Sequence, residues 1–259
     1  MVPGLLRHQV ILQPLRSATA NQAHLTEFIN FDTVANCLFR WSVCHMLKAL
    51  KSLHFRRLIR GVYTQRFKKF GRQPSGIYWT SKERQFSRFA IIIQQVASAA
   101  PQGTISIADI GCGYGAMVDY LQESAGCARF RYSGYDINPQ LIRSCRANAT
   151  IPAQQFQMGD CPAELVDFTV MSGTYNMAVT KDIDDWERYF LDCLERCWRY
   201  SRRGMVFNLL AADQSYISNG MLYHSDVNKI RRYCRAKFGA TRVIRKSGLP
   251  SDATLVVMR

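Results

Sequence analysis

The sequence predicts an α/β fold: a doubly wound, mostly parallel sheet of seven strands that ends in an antiparallel C-terminal hairpin. Three observations carry this. From residue 77 on, short β-branched runs alternate with amphipathic helical stretches, the rhythm of repeated βαβ units. A turn dense in glycine, Gly111, Gly113 and Gly115, joins the first strand to the helix after it. The last two apolar runs, TRVIRKS and ATLVVMR, face each other across the turn cluster GLPSD with no helix between them, so they pair antiparallel.

The elements follow in order. TSKE at 80–83 is a capping-box signature, with Thr80 and Glu83 opening a helix that runs to about Ser98. TISIADI (104–110) alternates as a buried strand, and a helix extends from Tyr114 to Glu123. FRYSGYDI (130–137) is the second strand, followed by a helix with Asn138 as N-cap and Pro139 in its first turn. AQQFQMGD (153–160) and VDFTVMS (166–172) are the third and fourth strands. IDDWERYFLDCLERCWRYSRRG places Ile183, Trp186, Phe190, Cys193, Cys197 and Tyr200 on one helical face and stops at Gly204. MVFNLL (205–210) is the fifth strand, residues 225–239 form a helix opened by Ser225, and the final hairpin supplies strands six and seven. Between them AADQSYISNGMLYH (211–224) reads as a polar loop of 14 residues, long enough for a lid.

Residues 1–70 lack this rhythm and stand apart as a basic N-terminal extension, partly helical or poorly ordered, to the domain at 71–259. They hold eleven Lys or Arg against Glu27 and Asp32, the larger part of the chain's net charge of +15. Such a segment is drawn to nucleic acid or anionic lipid, which keeps nucleic acid open as a partner. Residues 1–26, with two arginines and no acid, have the composition of a transit peptide. Residues 34–60 have that of a basic amphipathic helix, suited to a membrane surface or to packing on the main domain. The longest apolar run, FAIIIQQVASAA (89–100), is too short to span a bilayer. The nine cysteines are scattered without a C-x-x-C, and Cys193 and Cys197 have no second pair to complete a zinc site. Free thiols in a reducing, cytoplasmic setting are the expectation.

A loop after the first strand of a doubly wound sheet sits at the ligand crevice. Asp136, 21 residues after Gly115 and at the end of the second strand, is placed to accept both hydroxyls of a ribose. Gly111-x-Gly113-x-x-Ala116 satisfies the loose dinucleotide fingerprint, so NAD is one ligand to weigh. Three features point away from it. Asp109 stands ahead of the first glycine, where a pyrophosphate is repelled and a cation welcomed. The third glycine follows the second by two residues instead of three. Asp160, in QMGD, ends the third strand where an adenine edge would lie.

The run DIGCGYG, then GYDIN, then MGD resembles the motifs of class I S-adenosylmethionine-dependent methyltransferases. The closing hairpin is similar to the ending of that Rossmann-like fold. The resemblance covers about residues 75–259 and none of the first 70. It implies S-adenosyl-L-methionine as cofactor, with Gly111 and Gly113 approaching its methionine part and Asp109 available to its ammonium. It further implies Asp136 at the ribose and Asp160 with Cys161 beside the adenine; Gly115 and Ile137 complete the set. Upstream, YWTSKERQFSRF resembles a stretch in a less characterised branch of the family. Gln85 and Arg88 share a helix face there, and Arg88 is the candidate for the cofactor's α-carboxylate.

Methyl transfer is an in-line displacement, for which the protein chiefly aligns the reactants and excludes water. A base is needed only where the acceptor must lose a proton. His224, the one histidine beyond residue 54, and Tyr175 are the candidates, with Asn176, Asn208 and Tyr223 as further polar groups. Tyr175 and Asn176 do not match the N-P-P-Y motif of methyltransferases that act on planar amines. The leading expectation is therefore an enzyme acting on an O or N atom of a small molecule. The alternatives are an RNA or protein methyltransferase that uses the basic N-terminal arm, and a noncatalytic relative that binds the cofactor. The acceptor and the oligomeric state are not written in the sequence.

Overall fold

The computed structural model describes residues 31–124, 127–148, 150–246 and 249–259. The chain divides into two units, Met1–Leu47 and Lys48–Arg259. Residues 1–26, with their transit-peptide composition, lie outside the described residues. The description begins with helix α1 (Phe31–Phe70).

The second unit is built on one nine-stranded sheet. Five parallel strands run in the order β3 (Phe156–Met158), β2 (Phe130–Asp136), β1 (Ile105–Ile110), β4 (Val166–Ser172) and β5 (Ser201–Ala212). The outer edge of β5 has two partners. Strand β9 (Asp252–Met258) runs antiparallel along Gly204–Leu210, and β7 (Leu222–Asp226) runs parallel along Leu210–Ala212. Strand β8 (Ala240–Ile244) pairs with β9, and β6 (Tyr216–Ser218) with β7, both antiparallel.

The sheet thus has two strands more than the seven expected. They are the β6–β7 hairpin, in the stretch read as a polar lid. Asn219 and Gly220 turn its corner with φ of 49° and 71°, and the Met221 N–H donates to the Ser218 carbonyl at 3.1 Å. A turn with positive φ at both central positions is one that Asn-Gly supplies.

Side-chain alternation divides the core between two faces. Ile105 and Ile107 of β1 pack with Ile92, Val96 and Met117 from α2 (Lys82–Ala99) and α3 (Ala116–Glu123), joined by Ile142 of α4 (Pro139–Asn148). Ala108 and Ile110 point the other way, towards Trp186, Phe190 and Leu194 of α5 (Ile183–Arg199) and Ile230 of α6 (Val227–Lys237). Two helix starts fall one residue after their expected place. Ser81, not Thr80, caps α2 by accepting the Arg84 N–H at 3.2 Å. Asp226, not Ser225, caps α6, because Ser225 belongs to β7 and donates its hydroxyl to the Leu210 carbonyl.

The compact second unit begins at Lys48, within α1. Phe55, Ile59, Tyr63 and Phe67 recur every four residues along α1, a single helical stripe. Phe55 and Ile59 join the α5 side of the core, and Tyr63 and Phe67 the α2 side. Of the readings open for this basic segment, packing on the main domain holds for residues 48–70. Among the described residues, no helix is long and apolar enough to cross a membrane.

Candidate functional site

The glycine loop is held by its strand neighbours. The N–H groups of Gly111 and Cys112 both donate to the Tyr135 carbonyl, at 2.7 and 3.0 Å. This folds the chain back across the end of β2. Gly111 has φ of 75°, and a Cβ there would sit 2.6 Å from the Thr174 methyl. Thr174 is itself pinned by its hydroxyl bond to the Ile110 carbonyl at 2.7 Å. Only glycine fits. The loop then reaches Asp136, whose Oδ2 accepts the Gly113 N–H at 3.0 Å while Oδ1 accepts that of Asn138 at 2.8 Å. Each carboxylate oxygen has a second lone pair, so Asp136 can still take two donors from a ligand.

Over this loop, at the C-terminal ends of β1, β2 and β4, lies a cavity of about 320 Å³. Gly111, Gly113, Asp136, Ile137, Asp160 and Tyr175 line it, and Arg88 does so from α2. Ile59 and Tyr63 of α1 form part of its wall, so the N-terminal segment contributes to the site. Trp79, Met177 and Leu222 add apolar surface. A mainly apolar cleft with a few placed polar groups at the carboxyl ends of parallel strands is the usual form of a ligand site in this architecture.

The electrostatics follow from burial. Burial pushes the Asp136 carboxyl up to about 6, against the pull of the Asn138 and Gly113 N–H groups and of Arg60. Asp109 is pushed up to about 7 by burial, with the Tyr132 hydroxyl bond opposing and the charge of Asp136 adding. Asp160 receives two guanidinium groups on one oxygen, Arg56 at 2.5 Å and Arg196 at 2.6 Å, which leaves its Oδ1 towards other donors. The Tyr175 hydroxyl is buried with no hydrogen-bond partner among the described residues, and burial holds it well above the ordinary tyrosine range. The Ser172 hydroxyl, on the same wall, is likewise without a partner.

Several expected residues stand off the cavity. Asp109 lies beneath the loop, bonded to the Tyr132 hydroxyl at 2.9 Å. It faces the core because strand alternation at the end of β1 turns it under the chain. Gly115 faces Cys145 and Phe156, where an added Cβ would meet ordinary contacts at 3.4 and 3.5 Å, so its place is in packing against α4 and β3. Cys161 packs against the α5 side of the core. His224 sits on β7, its ring stacked on Tyr216 at 4.4 Å and its Nε2 3.0 Å from the Ser218 hydroxyl. The strand turns Tyr223 inwards and His224 away. Gln85 does not hold Arg88 but accepts the Tyr114 hydroxyl at 2.9 Å. Arg88 is instead paired with Asp252, a residue read only as part of a turn. No local pattern could show that pairing, since it depends on the register of β9. The stripe of α1 could have been found from its four-residue spacing.

A family model described as a methyltransferase domain matches residues 108–204. A protein of Mycobacterium tuberculosis (strain ATCC 25618 / H37Rv), "Putative methyltransferase Rv1506c", is 31% identical over 144 residues, covering 51% of this chain and 80% of that protein. Among solved structures, the complex of DhpI with S-adenosylhomocysteine superposes with a TM-score of 0.52 at 9% identity, over 79% of this chain and 96% of that one. CalS10 of Micromonospora echinaspora, an amino pentose methyltransferase with S-adenosylmethionine bound, gives 0.50 at 12%, over 76% and 96%. These two likenesses concern the fold.

Proposed function

Since the chain belongs to the class I S-adenosylmethionine-dependent methyltransferases, we propose that it moves the cofactor's methyl group to an O or N atom of a small-molecule acceptor held in the cavity above β1, β2 and β4. The observation that carries this reading is the joint geometry of the glycine loop and Asp136. The carboxylate keeps free lone pairs towards the cavity while two backbone N–H groups fix it in place. That arrangement suits a ribose with both hydroxyls free.

In this reading Gly111 and Gly113 admit the methionine part of the cofactor, Asp136 holds the ribose, and Arg88 faces the carboxylate. Asp160 is assigned to the adenine end, and Tyr175, a candidate base, lines the same cavity. When bound, the cofactor supplies a methyl group already activated on a sulfonium. The protein's share is to line up the acceptor and shut out water, for which Trp79, Tyr63 and Met177 provide apolar cover. The carboxylates lining the cavity, Asp136 and Asp160, are both given to the cofactor, and His224 is turned away. An acceptor whose lone pair is free without a protein base, a neutral amine or an already ionised oxygen, fits best. The likeness to an amino pentose methyltransferase is in keeping with a small acceptor.

The experiment compares S-adenosylhomocysteine, S-adenosylmethionine and NAD by calorimetry, then screens metabolite, RNA and protein extracts for a mass gain of one methyl. Binding of the first two and a methylated metabolite support the reading. Binding of NAD alone overturns it, and methyl gain confined to RNA or protein moves the acceptor to a macromolecule.

A further inference from the structure

Arg88 leaves α2 towards the cavity with its guanidinium held on two sides. Asp252 Oδ2 accepts from Nε at 2.9 Å and Oδ1 accepts from Nη2 at 2.6 Å. The Trp79 ring lies 4.6 Å from Cζ, against the flat face. On the far side stands Gly173, with φ of 71°, where a Cβ would come within 3.5 Å of Nη1 and 3.3 Å of the Trp79 ring. The missing side chain leaves Nη1 uncovered. Asp252 is buried and Arg88 partly so, with side chains 5% and 11% exposed. Asp252 opens β9 opposite Leu210, itself a cavity residue, so the C-terminal hairpin reaches the site.

A guanidinium presents five N–H groups on a rigid fork. Asp252 occupies the side edge, made of Nε and Nη2. The end edge, made of Nη1 and the second N–H of Nη2, has no hydrogen-bond partner among the described residues, and Arg88 lines the cavity. A carboxylate approaching from the cavity would find that edge set for two parallel bonds. Without Asp252 the same side chain would be a free rotor, or an uncompensated cation in a mostly buried wall. With Asp252 the pair is neutral overall and held rigid. It thereby suits a ligand group that is also neutral overall, a carboxylate with an ammonium beside it.

We propose that Asp252 is a positioning residue for cofactor recognition: its side-on grip presents the end edge of Arg88 to the α-carboxylate of the cofactor's methionine part. The proposal rests on the reading of this cavity as the S-adenosylmethionine site. It assigns the antiparallel C-terminal strand a part in that site, 164 residues away from the arginine it serves.

The test compares S-adenosylhomocysteine with 5′-methylthioadenosine, which lacks the amino-acid end, by calorimetry on the full chain. Asp252→Asn is expected to weaken S-adenosylhomocysteine about tenfold and 5′-methylthioadenosine by less than about twofold. Asp252→Glu, which keeps the charge and shifts the fork by one methylene, should show the same selectivity with a smaller loss, and it carries the test should the Asn variant not fold. Equal loss for both ligands in a folded variant, or no loss for either, overturns the proposal. A wild-type protein that binds both ligands equally well refutes the role of Arg88 and Asp252 alone. Failure of the wild type to bind either one refutes the cofactor reading, and this proposal with it.

Discussion

The Asn138 side chain, on the loop that follows β2, donates to the Thr64 hydroxyl of α1 at 3.1 Å. Its amide also reaches the Arg60 carbonyl at 3.3 Å, while its backbone N–H holds Asp136. One residue thus links the N-terminal helix to the carboxylate of the site. Arg56, one turn before Arg60, reaches the other acidic residue of the cavity, Asp160. Helix α1 is tied to both ends of the proposed cofactor site, although its basic composition suggests a detachable tail.

Truncation tests this. A chain that begins at Lys48 should melt cooperatively and bind S-adenosylhomocysteine, whereas one that begins at Ser75 should lose binding and much of its stability. Within the full chain Phe55→Ala should destabilise by about 3–5 kcal/mol. Phe55 is 4% exposed and packs edge-on to Tyr189 at 5.6 Å and beside Trp186 at 6.1 Å. A Ser75 chain that binds as well as the full protein would remove residues 48–70 from the site.

Asp136 should make cofactor binding pH-dependent. Its carboxyl titrates at about 6 in the free protein, and only the ionised form accepts both ribose hydroxyls. Affinity for S-adenosylhomocysteine is therefore expected to fall as pH drops through 6 and to stay level above it. Asp136→Asn should bind about 1.5–3 kcal/mol more weakly at pH 8, with that pH dependence gone. A variant that retains the wild-type pH profile would assign the titration to another group.

For Asp109 the expected effect is on stability and not on binding. Its folded value of about 7 lies above the ordinary carboxylate value of 3.8, so the folded state holds an extra proton between them. Stability from this group is full below 3.8 and is lost as pH rises through 7. Asp109→Asn keeps an oxygen for the Tyr132 hydroxyl and carries no charge. It should raise the melting temperature at pH 8, leave it near the wild-type value at pH 5, and not weaken S-adenosylhomocysteine. Lost binding at unchanged stability would return Asp109 to the cavity wall.

The contrast between Asp109 and Asp136 shows what could be read from the sequence. The alternation of strands and helices, the glycine turn and the acid at the end of β2 are local patterns, and each emerges in its expected place. Which way a residue at a strand end points is decided by the neighbouring strands. Asp109 and Asp136 look alike as acids beside the same loop, yet one is bonded under it to Tyr132 and the other lines the cavity. His224 stands out in the sequence for its chemistry alone. The Asn-Gly turn before it fixes a hairpin register that stacks it on Tyr216. The partner of Arg88 was beyond local reach, because β9 comes to the site only through its pairing with β5.

Tyr175 separates a group kept for folding from one kept for a ligand. Its ring packs against Phe190 at 4.7 Å, and the residue is 4% exposed. Its backbone carbonyl accepts the Trp186 indole N–H at 3.1 Å, so the main chain is fixed independently of the hydroxyl. The hydroxyl itself is buried on the cavity wall, near Cys193 and Asp160, without a partner among the described residues. An unsatisfied buried hydroxyl weakens the free protein, so Tyr175→Phe should leave the melting temperature unchanged or raise it. If a cofactor atom completes the bond, the same variant should bind S-adenosylhomocysteine about 3- to 10-fold more weakly, the worth of one ordinary hydrogen bond. The two measurements then move in opposite directions, which no packing role can produce. A lower melting temperature with unchanged affinity would give the hydroxyl a structural partner, and unchanged values in both would take Tyr175 out of cofactor recognition.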